Sequence, residues 1–129
     1  MASWDQVKNF IKGNYKVQSD EGDFFKMVFE LGNDRTQMVF VQKIDTTKNG
    51  IWIQMSSPVG IIKQEKINKV LEVLNDKVCG GLVKIGDKHF IRHCLPIDSM
   101  SLDEFSVPLS FITSSADDLE KKFVGGDEQ

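Results

Sequence analysis

The sequence predicts an α+β domain: an antiparallel sheet with helices packed mainly on one face, in the order α-β-β-β-β-α-β-β-α. Three observations lead there. Capping boxes open a helix near each end of the chain, at Ser3 with Gln6 and at Ser101 with Glu104. From Phe24 to Ser56 the apolar residues follow period two and not helical spacing. Asn49-Gly50 and Gly86-Asp87 are dipeptides of the type that closes a two-residue hairpin.

The elements follow in order. Ser3 to Lys12 reads as a helix, with Trp4, Val7, Phe10 and Ile11 at helical spacing and Gly13 as its stop. Tyr15 to Gln18 is a short first strand. Phe24 to Leu31 is the second, with Phe25, Met27, Phe29 and Leu31 on one face. After a turn at Gly32-Asn33-Asp34 come strands at Gln37 to Asp45 and Ile51 to Ser56, joined at Asn49-Gly50. Pro58 and Gly60 are expected to end this run. A second helix over Gln64 to Asp76 carries the stripe Ile67, Val70, Leu71 and Leu74. Val78 to Ile85 and Lys88 to Leu95 form a hairpin. The last helix carries Phe105, Leu109, Ile112, Ala116, Leu119 and Phe123, with Pro108 predicting a kink or a delayed start. All of this fits one domain over residues 1–124 and a flexible C-terminal tail over 125–129.

Composition narrows the function classes. The chain has 129 residues, a net charge of −3 and a pI near 5.3. That balance argues against nucleic acid as a partner, since such binders carry a basic face. No apolar run is long enough to span a bilayer, so no membrane partner is expected. The start, Met1-Ala2-Ser3-Trp4-Asp5, lacks the regions of a signal peptide, which leaves a cytoplasmic location as the expectation.

Catalytic and metal chemistry find little support. His89 and His93, four apart on a strand, would have Cα atoms about 13 Å apart and could not chelate one metal. Counting outward from Gly86-Asp87 sets Cys79 opposite Cys94, at a Cα separation of about 5.5 Å that permits a disulfide. A bulge at Gly80-Gly81 would shift that register, and a reducing compartment favours two neighbouring, buried free thiols over the bridge. Cys94 and His93 point to opposite faces, so they do not form a nucleophile and base. The acidic clusters lack calcium-loop spacing, and the glycine pairs lack the context of a phosphate loop. No enzyme activity, cofactor or metal is expected.

Certain short motifs carry a resemblance. The strand start Arg35-Thr36-Gln37-x-Val39-x-Val41, then Ser57-Pro58-Val59-Gly60 before the second helix and Leu95-Pro96-Ile97 before the last, resemble the YbjN-like family, whose fold is that of the type III secretion chaperones. The resemblance spans nearly the whole chain. It implies a regulatory or protein-binding module, not a catalyst, and a homodimer. Pro108 departs from the family's smooth acidic last helix. The secretion chaperones proper are small, acidic, dimeric binders of extended protein segments, so a chaperone for a client segment is the alternative reading. A small enzyme with an unrecognised site is the third.

The faces of the sheet locate a candidate partner surface. A two-residue turn at Asn49-Gly50 puts Met38, Phe40, Ile44, Ile51, Ile53 and Met55 on one face and Val39, Val41 and Trp52 on the other. Aligned with Phe24 and Val28, the second group makes an apolar strip: Phe24, Val28, Val39, Val41 and Trp52. Such a strip is either a contact surface, for self-association or a client segment, or is buried by the second helix. Trp52 is the residue expected to anchor a partner.

Overall fold

The computed structural model describes residues 2–124; the expected tail at 125–129 lies outside them. Helix α1 (Trp4–Asn14) is followed by β1 (Lys16–Asp20), β2 (Phe24–Gly32), β3 (Arg35–Asp45) and β4 (Ile51–Gly60). A 3₁₀ turn (Gln64–Lys66) leads into α2 (Ile67–Leu74), then β5 (Gly81–Ile85), β6 (Lys88–Pro96) and α3 (Leu102–Phe123). The strands form one six-stranded sheet in the order β1-β2-β3-β4-β6-β5, with every neighbouring pair antiparallel. The fold is therefore the predicted α+β arrangement.

Both capping boxes form: Ser3 and Ser101 accept the backbone N–H of Gln6 and Glu104, whose side chains accept the cap N–H in return. Gly13 does not stop α1. The helix runs on to Asn14 and ends because Tyr15 turns extended, at φ −131° and ψ 157°, to enter β1. In α3 the delayed start foreseen from Pro108 does not occur: the helix opens at its capping box and continues through the proline.

One core forms on one face of the sheet. Val7 and Ile11 of α1, Val70 of α2, and Phe105, Leu109 and Ile112 of α3 join it from the helices. Phe25 and Met27, Val39 and Val41, Ile53 and Met55, and Ile91 join it from the strands, each fully shielded from solvent. A Lys77–Asp118 ion pair at 2.6 Å ties the segment after α2 to α3, so α2 lies on the same side. The three helices thus cover one face and leave the other without a helix.

The register between β3 and β4 corrects the expected faces. Ile51 pairs with Asp45 and not with Lys48, a shift of three residues. Asn49-Gly50 is not a two-residue turn. The connection is a wider loop closed by Thr46, whose N–H and Oγ1 both donate to the Gly50 carbonyl, at 3.1 and 2.6 Å. Thr47 and Gly50 sit at φ 62° and 80°. An odd shift flips every side chain of one strand relative to the other. Val39 and Val41 accordingly face the core with Ile53 and Met55, while Phe40 and Trp52 face away. On β2, Leu31 also departs from its expected buried face: the pairing shifts between Glu30 and Gly32, and Leu31 is exposed.

Pro58 does not end the sheet. Strand β4 runs to Gly60, and Pro58 pairs with Phe90 of β6. On its β3 side the ladder stops at Phe40 and Ser56, and continuing it would set Met38 opposite Pro58, which has no N–H. Side chains bridge that gap. The buried Ser57 hydroxyl donates to the Met38 carbonyl at 2.6 Å, and the Gln37 amide donates to Ser57 Oγ at 2.8 Å and to the Pro58 carbonyl at 2.7 Å. Beside it Arg35 reaches across to α3, where its guanidinium meets Asp117 at 2.6 Å and Glu120 at 3.2 Å. The inward residues of the Arg35-Thr36-Gln37-x-Val39-x-Val41 and Ser57-Pro58-Val59-Gly60 motifs are thus occupied in joining β3, β4 and α3.

Candidate functional site on the uncovered sheet face

Of the expected strip, Phe24, Val28 and Trp52 lie on the uncovered face, while Val39 and Val41 are on the covered one, fully buried. The strip as drawn from the sequence is therefore not contiguous. The second helix does not bury its open members, because α2 packs Val70, flanked by Ile67, Val73 and Leu74, into the core on the opposite side; Leu71 of the expected stripe is instead exposed. Trp52 is half-exposed, and its indole N–H donates to the Asn49 carbonyl at 3.0 Å, which fixes the ring at the end of β4.

A different set of aromatics organises this face. Phe24 of β2 stacks on Phe40 of β3 with ring centroids 5.8 Å apart, and Phe40 meets Phe90 of β6 edge-on at 6.5 Å. Strand β4 lies between β3 and β6, and there it presents Ser56, opposite both Phe40 and Arg92. A small side chain at that point lets Phe40 and Phe90 approach each other across β4. The three rings are half-exposed and belong to no part of the core.

Between these rings lies a groove of about 250 Å³. Phe24, Phe40, Phe90 and Ile85 supply apolar walls, and Gln42, Gln54, Ser56 and Arg92 supply polar groups. Ile85 is 54% exposed. Arg92 donates from Nε to Ser56 Oγ at 3.3 Å, and among the described residues it forms no ion pair. The groove therefore offers a bulky apolar contact beside an uncompensated guanidinium. Phe40 escaped the sequence reading through the register error. Phe90 was legible in principle, since it alternates with the buried Ile91, but only the correct pairing of β4 with β6 sets it beside Phe40.

The residues considered for chemistry are elsewhere. His89 and His93 share the covered face of β6, as their even spacing requires. His89 is buried and its Nδ1 accepts the Ile62 N–H at 3.3 Å. His93 is half-buried, and burial pushes its imidazole below the usual value. The Gly86-Asp87 hairpin has the predicted register, with Ile85 opposite Lys88 and Gly81 opposite Arg92. The expected Cys79–Cys94 ladder pair does not form, because β5 begins only at Gly81 and Gly80, at φ 99°, turns the preceding chain out of the strand. Both cysteines are free, but they are not the expected pair of buried neighbours: Cys79 is half-buried and Cys94 is exposed; desolvation raises each thiol above its usual value, and at Cys94 the Arg92 charge partly opposes this. Among the described residues no group of three or more His, Cys, Asp or Glu is placed to hold a metal ion, and no helix is long and apolar enough to cross a membrane.

No protein-family model matches this chain, and no curated protein matches it.

Proposed function

We propose that the chain is a non-enzymatic protein-binding module of the YbjN-like kind, and that its working surface is the uncovered sheet face centred on Phe40. The observation that carries this reading is the row Phe24–Phe40–Phe90. Large aromatic side chains are normally buried, and a contiguous apolar patch left open on a small domain marks an interaction site. In this reading the protein works in the cytoplasm and takes no metal or cofactor. Trp52 lies at the margin of the surface and Phe40 at its centre, so Phe40 is the anchor.

The test compares affinity capture from native lysate for the wild-type chain, Phe40→Glu, and Lys69→Ala on the exposed side of α2. Phe40→Glu should stay folded by circular dichroism and lose the captured partner; Lys69→Ala should keep it. Retention of the same partners by Phe40→Glu, or its unfolding, would sink the reading.

A further inference from the structure

The uncovered face differs in charge from the rest of the molecule. Across the strands it carries Lys16, Lys26, Lys88 and Arg92 against one carboxylate, Glu30, a balance of +3 in a chain of net charge −3. Among the described residues none of the four cations is in an ion pair. Two of them bracket the aromatic row: Lys26 stands opposite Phe40 on β2, and Arg92 stands opposite Ser56 on β6. Four cations outside the ion pairs thus share the sheet face that carries the Phe24–Phe40–Phe90 row, in a protein that is acidic as a whole.

From this we propose that the occupant of the groove is an acidic segment of another protein, in extended form, that inserts a bulky apolar side chain between Phe40 and Phe90 and sets a neighbouring carboxylate on Arg92. The proposal rests on the binding reading above and adds the chemistry of the partner. An extended strand suits the site because its side chains alternate, so one residue can fill the groove while those two away reach Lys26 and Arg92. The guanidinium binds a carboxylate through charge-assisted hydrogen bonds, flanked by rings that exclude water. A second copy of this chain is a poor occupant: face-to-face pairing would set Lys26 and Arg92 against cations of the same sign, so a homodimer must use another surface. Single-stranded nucleic acid fits less well, because a base needs a free ring face and Phe24 and Phe40 are stacked on each other at an interplanar angle of 24°.

The test uses defined probes on isotopically labelled protein. A fluorescein-labelled peptide Glu-Ser-Glu-Ser-Phe-Ser-Glu-Ser-Glu, whose carboxylates share the face of its Phe in extended form, is titrated beside versions with Gln or Lys in place of every Glu, and beside oligothymidylate. The acidic peptide should shift the amide resonances of β3, β4 and β6 around Phe40, Ser56 and Phe90. It should bind about ten-fold or more tightly than the Gln version and lose that margin as salt is raised. Arg92→Gln should remove most of the margin, and Lys26→Gln part of it; Lys122→Gln, on the last turn of α3, should leave it intact. Equal binding of the Gln and Glu versions at this face would overturn the acidic partner while leaving the face as a binding surface. Tighter binding of the Lys version, or saturation by oligothymidylate at a lower concentration, would overturn it too. So would the failure of every peptide to shift these amides when capture from lysate still depends on Phe40.

Discussion

Replacing Ser57 by alanine tests how β4 passes Pro58 without losing its hold on β3. The change leaves no room to fill and removes one oxygen from a fully buried site. That oxygen donates to the Met38 carbonyl at 2.6 Å and accepts from Gln37 Nε2 at 2.8 Å. Gln37 is 4% exposed, so its amide proton has no solvent to turn to, although it keeps the Pro58 carbonyl. Leaving a buried polar group without a partner costs about 1–3 kcal/mol. Met38 is half-buried, which puts its carbonyl at the low end, and the two losses together come to about 2–4 kcal/mol. With a urea slope of about 2 kcal/mol/M, the unfolding midpoint should fall by about 1–2 M with the slope unchanged. Gln37→Met combined with Ser57→Ala should cost less than the two single changes summed, since both singles break the same hydrogen bond. A midpoint shift below about 0.3 M for Ser57→Ala would refute the view that these side chains stand in for the missing proline N–H.

Three further outcomes follow from other parts of the structure. Gly80→Ala would place a Cβ 2.7 Å from Ile91 Cγ2 at a residue with φ 99°, so it should cost about 2–4 kcal/mol, whereas Gly13→Ala, inside α1 with nothing within 4 Å, should stabilise by about 0.5–1 kcal/mol; thermal unfolding of the pair decides, and like signs would count against the assignment. Pro108→Ala restores an N–H to the interior of α3 and should raise the melting temperature by a few degrees, and an unchanged or lower value would contradict an unbroken helix at that point. Burial lowers the His93 pKa, so above its ordinary value of 6.5 the ring is neutral in both states, and below it the unfolded chain takes up the proton first. Stability should therefore fall as the pH drops from about 6.5 towards the folded value, and His93→Gln should flatten the dependence; identical pH profiles for the two proteins would rule His93 out as the source.

Local chemistry was legible in the sequence wherever it decided the outcome. Ser3–Gln6 and Ser101–Glu104 cap as their spacing dictates, and Gly86-Asp87 sets the register of its hairpin. The stripe from Phe105 to Leu119 is the buried face of α3. What was not legible was decided by a competing local bond. Thr46 closes the loop before Asn49-Gly50 can act as a turn, and that one substitution of partner moved Val39 and Val41 into the core and Phe40 out of it. Pro58 reads as a terminator because the sequence does not show that Ser57 and Gln37 lie close enough to satisfy the backbone around it. The candidate surface inherited the first error. Phe24 and Val28 were found by alternation within β2 and Trp52 came in with the assumed turn at Asn49-Gly50, but the centre depends on pairings among β3, β4 and β6 that only the fold supplies.

The two outermost strands have a consequence for how any client can be held. A bare sheet edge is a row of unsatisfied backbone groups, and it invites a foreign strand to add on and chains to polymerise. Here both margins are blunted. β1 and β5 have five residues each, β1 is broken by a bulge between Val17 and Ser19, and β5 is entered through the left-handed Gly80 and carries Lys84. Neither offers a straight template of useful length. In the binding role proposed above, recognition falls to side chains on the face, which discriminate among sequences, and not to main-chain pairing, which accepts almost any. The same geometry lets a protein with an uncovered aromatic surface remain resistant to growing into fibres through its edges.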